Sequence, residues 1–360
     1  MSIFNKENTT WKGGAYPLFL GEKPALYDSV NVTYPQLFDL YKKQKSSDWS
    51  EDEIGLEQSR IDMLTCPQEI KDLMVKNLSL QWEADSIASR AIAPVFAPFI
   101  TNSELWAAWL KVSEIEVLHA LTYSEIIRQC VANPKDIFEE IANNENITGR
   151  MEPIEKAFSA LQKAGAQYTL GLITKEEAHP IVMNAVVALY CLERLQFVVS
   201  FAATFAVVEQ GYFQGIGKLV QKIMQDERFV HAEIDKAVID IELSTERGKQ
   251  WLQNNKDTVK SLIDSVVQVE YNWANYSLSE SRSVVGFNTA LAINWVDYNA
   301  APVYETFGFE APVKIKKSPL KFMDNWLDMN KNQNAQQEAD SANYSLNIIV
   351  DDLGDEIIEF

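Results

Sequence analysis

Between residues 65 and 300, apolar side chains recur at spacings of three and four, with few β-branched alternating runs, and this periodicity confines the chain to an all-α fold. The helices it predicts span 66–90, 103–131, 152–167, 175–209, 213–242 and 255–282, with a further one over 286–298. Several exceed 25 residues, longer than the usual globular helix. Three open on capping-box patterns, Thr65-x-x-Gln68 with Pro67 in the first turn, Thr101-x-x-Glu104 and Thr174-x-x-Glu177. Breaks are expected at Asn133-Pro134 and near Gly211. Long, neighbouring, apolar helices with short connections predict a bundle, and no internal repeat points to a solenoid.

With 360 residues and 47% apolar content, such a bundle can bury a large core. A formal charge of −19 repels a phosphate backbone, and no basic stripe reverses that, so nucleic acid is not an expected partner. The N-terminus lacks the basic-then-apolar pattern of a signal peptide. The longest apolar run, Phe197 to Val208, falls short of the roughly 20 residues that span a bilayer. A cytoplasmic protein without membrane contact is expected. Cys66, Cys130 and Cys191 are too scattered for a disulfide framework and read as buried free thiols. After Leu327 the composition turns to Asn, Gln, Asp, Glu and Ser. This predicts a helical domain over 1–328 and a mobile acidic tail over 329–360.

The chain has only three histidines, and two of them sit in patterned company. In Glu116-x-x-His119-x-x-x-Tyr123 the offsets of three and seven bring a carboxylate, an imidazole and a phenol onto one helical face, flanked by Val112, Ile115, Leu118, Ala120 and Ile126. His231 follows Glu227 at i+4. Two further helices each carry one acid inside an apolar run, Asp85 and Glu193. Buried carboxylates are costly unless paired or bound to metal. One acid, a Glu/His pair, one acid and a Glu/His pair on four helices is the donor pattern of ferritin-like dinuclear carboxylate sites. Oxygen-rich donors with one imidazole per metal suit iron or manganese better than zinc. Each element alone has a plainer reading. A lone Glu-x-x-His is usually a solvated face, Glu193 has Arg194 beside it as a partner, and His179 at a helix start reads as structural. The joint occurrence in order carries the metal reading.

These residues resemble the small (beta) subunit of class I ribonucleotide reductase. The likeness runs through Ala84-Asp85-Ser86-Ile87, through Ser113-Glu114 past Tyr123 to Ile126-Ile127-Arg128, and through Leu192-Glu193 to Phe197-Val198-Val199-Ser200-Phe201. Asp226-Glu227, Ser318-Pro319-Leu320 and Asn325-Trp326-Leu327 extend it. The resemblance implies that Asp85, Glu116 and His119 hold one metal and Glu193, Glu227 and His231 the other, with one or more bridging carboxylates. It implies a dinuclear iron centre, with manganese or a mixed pair as alternatives, that oxidises Tyr123 to a stable tyrosyl radical. Phe197, Phe201 and Ile223 match the dry pocket that protects such a radical. Trp49 and Asp226 match the pair that couples the site, through His119, to the surface, and Tyr344 matches a relay tyrosine at the subunit interface. A homodimer is implied, as is a large (alpha) subunit on which the ending Ile348 to Phe360 docks. That subunit would hold the nucleotide, and accordingly neither GxxxxGK nor GxGxxG occurs here.

One departure stands out. The family's second pair is Glu-x-x-His, whereas three residues separate Glu227 from His231. In a regular helix the extra residue turns the imidazole by about 100° and lifts it by about 1.5 Å. A π-bulge in that turn would absorb it. The rival readings are a ferritin-like oxidase or desaturase acting on its own substrate, which has no use for Trp49, Tyr344 or a docking tail, and a metal-storage or purely structural bundle.

Overall fold

A computed structural model describes residues 4–13, 16–24, 26–279 and 281–328. The tail from 329 to 360, with Tyr344 and the predicted docking peptide, lies outside the described residues. Besides single turns at Thr10–Gly13 and Glu145–Thr148, the α-helices of the described residues are α1 (Pro35–Ser46), α2 (Glu57–Thr65), α3 (Gln68–Phe96), α4 (Ser103–Cys130), α5 (Pro134–Asn143), α6 (Glu152–Thr169), α7 (Lys175–Leu195), α8 (Val198–Val208), α9 (Gln214–Asp226), α10 (Ala232–Ser244), α11 (Glu246–Ser277), α12 (Thr289–Thr306) and α13 (Lys321–Trp326). A π-helical turn, Glu227–His231, joins α9 to α10. Among the described residues β-structure is confined to two isolated bridges, Phe19 with Ile100 and Val284 with Phe287.

The bundle forms because its long helices bury apolar residues along their length. The longest pairing is α3 against α4, joined by a short connection, while α7 packs on α6, α10 and α11. α8 is buried along its whole length. The stretch Lys175–Val208 is apolar enough by length and composition to cross a membrane, but 94% of its most apolar window is buried inside the bundle.

The predicted helices are all present, with instructive differences at their ends. The Thr174 capping box forms as expected: Glu177 N–H donates to Thr174 Oγ1 at 3.2 Å and Thr174 N–H to Glu177 Oε2 at 2.8 Å. The other two do not. Thr65 closes α2, donating its hydroxyl to Ile61 O, and α3 begins after Pro67 with no side-chain cap. At α4 the cap is Asn102, whose Oδ1 accepts from Leu105 N–H at 2.8 Å, because the Thr101 hydroxyl is spent on Pro17 O. α11 starts at Glu246, earlier than its apolar periodicity shows, capped by Thr245 and kinked at Asn255. Gly211, at φ 92°, makes the predicted break before α9.

The predicted helix over 175–209 is interrupted at Gln196 and Phe197. Buried Arg150 donates to Gln196 O and pairs with Glu270, and Gln196 Nε2 donates back to Arg150 O at 2.8 Å. Glu270 also accepts Val199 N–H at 3.3 Å. This clamp holds both sides of the interruption, directly after Glu193.

Candidate metal centre

α3 contributes Asp85, α4 contributes Glu116 and His119, α7 contributes Glu193, and the π-turn contributes Glu227 and His231. All six are at most 5% exposed. They form two groups of donor atoms that could each hold a metal ion, Asp85, Glu116, His119 and Glu227 in one, Glu116, Glu193, Glu227 and His231 in the other. Glu116 and Glu227 belong to both, which is the arrangement of carboxylates that bridge two ions.

The imidazoles reach across this pair. His119 Nδ1 lies 3.0 Å from Glu227 Oε1, 3.8 Å from Glu116 Oε2 and 3.9 Å from Asp85 Oδ2. His231 Nδ1 lies 3.0 Å from Glu116 Oε1, 3.5 Å from Glu227 Oε2 and 3.6 Å from Glu193 Oε2. The two rings stack with centroids 5.6 Å apart. The extra residue before His231 is therefore absorbed by the π-turn, which returns the imidazole to the donor cluster. Glu193 faces His231, so the alternative partner Arg194 is not the group that compensates it.

Both oxygens of Asp85, Glu116 and Glu227, Glu193 Oε1 and Nδ1 of each imidazole take no hydrogen bond from the fold. Leaving so many buried polar atoms unmatched costs a native fold dearly unless a ligand takes them up. Four carboxylates with two neutral imidazoles carry four negative charges, and two divalent cations balance them. The donor set thus fits a dinuclear centre.

The electrostatics agree. Burial raises Asp85 well above the usual carboxylate range, and the charges of Glu116 and Glu227 add to it. Glu193 is raised in the same way, by burial and then by Glu227. Burial opposes charge on the imidazoles, yet the carboxylates around them win. Asp226, Glu116 and Glu227 lift His119 well above its ordinary value, and Glu227, Glu116 and Glu193 do so for His231. Glu227 is pulled well below its ordinary value despite burial, by Glu193 and the two histidines.

Tyr123 is fully buried, and its hydroxyl has no hydrogen-bond partner. Burial raises its phenol well above 10, and the carboxylates of Asp85, Glu227 and Glu116 act on it in the same sense. Phe197 and Phe201 stack at 5.4 Å and, with Glu193, Glu227 and Met224, line a small cavity at the Glu193 end. Ile223 is fully buried on α9.

Behind His119 runs a continuous polar line. His119 Nε2 is 3.2 Å from Asp226 Oδ2, and Trp49 Nε1–H donates to that same oxygen at 2.8 Å. The Trp49 and His119 rings stack at 6.1 Å, and Lys222, paired with Glu53, sits over the indole. Gln44 of α1 donates to Asp226 Oδ1 at 2.9 Å, a contact that sequence reasoning missed. A second pair also escaped it, Trp109 Nε1–H donating to Asp235 Oδ1 at 2.9 Å, one turn beyond His231. Burial pushes the Asp235 carboxyl up to about 8, against the pull of Trp109 and the His231 ring. His179, read as structural, pairs with Glu242 at 3.2 Å away from the site.

A helical bundle with two candidate metal-binding donor groups that share two carboxylates has the architecture of ferritin-like dinuclear carboxylate proteins. The family described as "Ribonucleotide reductase, small chain" matches residues 27–319, and the chain belongs to that family. A ribonucleoside-diphosphate reductase subunit beta of Buchnera aphidicola from Schizaphis graminum is 27% identical, covering 91% of each chain. The corresponding subunit of Enterobacteria phage T4 is 25% identical over 95% of this chain and 94% of its own. Among solved structures, a ribonucleotide reductase R2 subunit from Clostridium botulinum superposes with a TM-score of 0.76 at 18% identity, covering 91% of this chain and 98% of that one. A dimanganese(II)-NrdF of Streptococcus sanguinis gives 0.68 at 16% identity, covering 84% and 100%.

Proposed function

We propose that this protein is the radical-generating small subunit of a ribonucleoside-diphosphate reductase, in which Asp85, Glu116 and His119 would hold one metal and Glu193, Glu227 and His231 the other, with Glu116 and Glu227 placed within reach of both. The observation that carries the reading is the pair of buried donor groups sharing two carboxylates, with a buried phenol on the same helix as Glu116 and His119. Iron or manganese held by these residues would, with O₂ or a reduced oxygen species, supply a one-electron oxidant beside Tyr123.

Tyr123 would pass one electron to that oxidant and its phenolic proton to the oxygen being reduced to water, and would be left as the stored radical. The surrounding fold protects it, since no hydrogen bond reaches its oxygen and water is excluded. Phe197, Phe201 and Ile223 serve as the apolar wall. Asp226 ties His119 to Trp49, and Trp49, 8% exposed, brings the line to the edge of the subunit. From there Tyr344 passes the hole to a large subunit that reduces ribonucleotides to deoxyribonucleotides. In this reading residues 1–328 form the helical domain, residues 329–360 dock on that subunit, and the protein acts in the cytoplasm. A homodimer accords with the row Leu110, Val117 and Leu121, which α4 leaves exposed. The bonds joining Trp49, Asp226 and His119 favour this reading over an oxidase or desaturase, which needs no such line.

Metal analysis with low-temperature electron paramagnetic resonance after aerobic reconstitution with Fe(II) or Mn(II) tests it. The expected result is about two metals per chain, as two donor groups of this kind require, with a tyrosyl doublet that Tyr123→Phe removes. Two metals without an organic radical would sink the role of Tyr123, and no bound metal would sink the centre.

A further inference from the structure

His119 and His231 both present Nδ1 to the carboxylates, so both turn Nε2 away from them. Behind His119 stand Asp226 and, bonded to it, the indole of Trp49. Behind His231 the residues are different but the chemistry is the same. Asp235 follows His231 by four residues, and because α-helical register resumes at Ala232, the two share one helical face. Asp235 is buried, and its Oδ1 accepts the N–H of a fully buried tryptophan, Trp109. Its other oxygen, Oδ2, and His231 Nε2 are both buried, and both lack a hydrogen-bond partner. One is an acceptor. The other becomes a donor as soon as Nδ1 is committed to a cation, because the neutral ring then carries its proton on Nε2. Metal-bound imidazoles almost always pass that N–H to a carboxylate, a carbonyl or water. Buried polar groups that do not touch directly are commonly joined by one ordered water.

We propose that Asp235, anchored by Trp109, is a positioning residue for His231, receiving its Nε2–H through one ordered water and fixing the tautomer that leaves Nδ1 for the metal. The site then has two His–Asp–Trp lines. One is bonded directly and reaches the subunit edge at Trp49. The other is relayed and ends in the core, where Trp109 packs on Phe96 and Phe19 with centroids 4.5 and 5.7 Å away. The assignment rests on the reading of His231 as a metal ligand.

The test is equilibrium Mn(II) binding to the full-length protein, followed by the resonance of free Mn(II), with the Co(II) visible spectrum as a second readout. Asp235→Asn keeps the shape of the side chain and its bond to Trp109. It is expected to weaken one of the two Mn(II) ions by about 10–100-fold, leave the other within about twofold, and shift the Co(II) bands. Trp109→Phe, which removes the anchor alone, should give a smaller loss at the same ion and decides the matter if Asp235→Asn does not fold. Wild-type affinity and spectrum in the variants would overturn the positioning role, as would equal weakening of both ions alongside a lowered melting temperature. A wild-type protein that binds no Mn(II) would instead overturn the metal-centre reading itself.

Discussion

His119 and His231 meet matching donors, each facing the shared glutamates Glu116 and Glu227 at Nδ1, but they are backed very differently. The His119 end is tied by direct bonds to Asp226, and through it to Gln44 on α1 and to Trp49 in the segment that follows. The His231 end sits in a π-turn, and one turn further along lies the enclosed pair Asp235 and Trp109. On the proposed reading the contrast teaches that donor type would select the ions, while the groups behind the imidazoles would decide where charge can leave. Only the His119 end would then have an exit.

The largest effect should come from the residue that both ends serve. Tyr123→Phe is expected to abolish the tyrosyl signal and reduce turnover with a large subunit to background while metal content is kept. Undiminished turnover would mean that neither end works for Tyr123. Next, Asp226→Asn should lower turnover by about 10–100-fold with the Tyr123 signal still formed on reconstitution. A parallel loss of the signal would show that the His119 end builds the centre and does not merely empty it.

A smaller effect concerns both ends at once and is seen in thermal denaturation of the metal-free protein. Asp85 and Glu193 are held above their ordinary values of 3.8 and 4.5, and His119 and His231 above 6.5. Groups raised on folding take up protons, so their contribution favours the folded state at low pH and is lost as pH rises past those ordinary values. Glu227, lowered, acts in the opposite sense, and its contribution is lost as pH falls. Between pH 6 and 8 the raised groups lose their protons more readily from the unfolded chain, while Glu227, lowered below 4.5, stays ionised in both states, so the melting temperature should fall from about pH 6 to about pH 8. Metal, which displaces those protons, should reverse the slope. A rising melting temperature without metal would show that the clustered charges are relieved in some other way. The smallest effect is Gln44→Leu, which leaves Asp226 Oδ1 without its donor and should cost about 1–3 kcal/mol in a denaturant titration. No change would place Gln44 outside the line.

The elements that carry the candidate ligands were legible because their polar residues interrupt strong apolar periodicity, and because histidine is so scarce that its two patterned occurrences stand out. Which carboxylates are shared was not, since that depends on how α4 and the π-turn face each other. α1 escaped notice for a physical reason. Of its twelve residues only Leu37 and Gln44 are buried, and its lysine-rich surface gives little periodic signal. The interruption after Leu195 was equally hidden, because apolar residues at helical spacing continue on both sides of it and the cause, Arg150, lies far away in sequence. Thr65 and Thr101 show how a local capping pattern fails when the hydroxyl finds another carbonyl. Asp235 did leave a trace, an acid one turn from His231 between Ile234 and Val238 on an otherwise apolar face.

The five-residue π-turn has a consequence for how such a site can change. Inserting one codon into a helix normally rotates everything downstream, and here it would have swung Ile234, Val238, Ile239 and Ile241 out of the core. Because the excess winding is confined between Glu227 and His231, the bundle beyond Ala232 keeps its register. Metal ligands can therefore be respaced by small insertions at this turn without the remainder of the protein having to evolve in step.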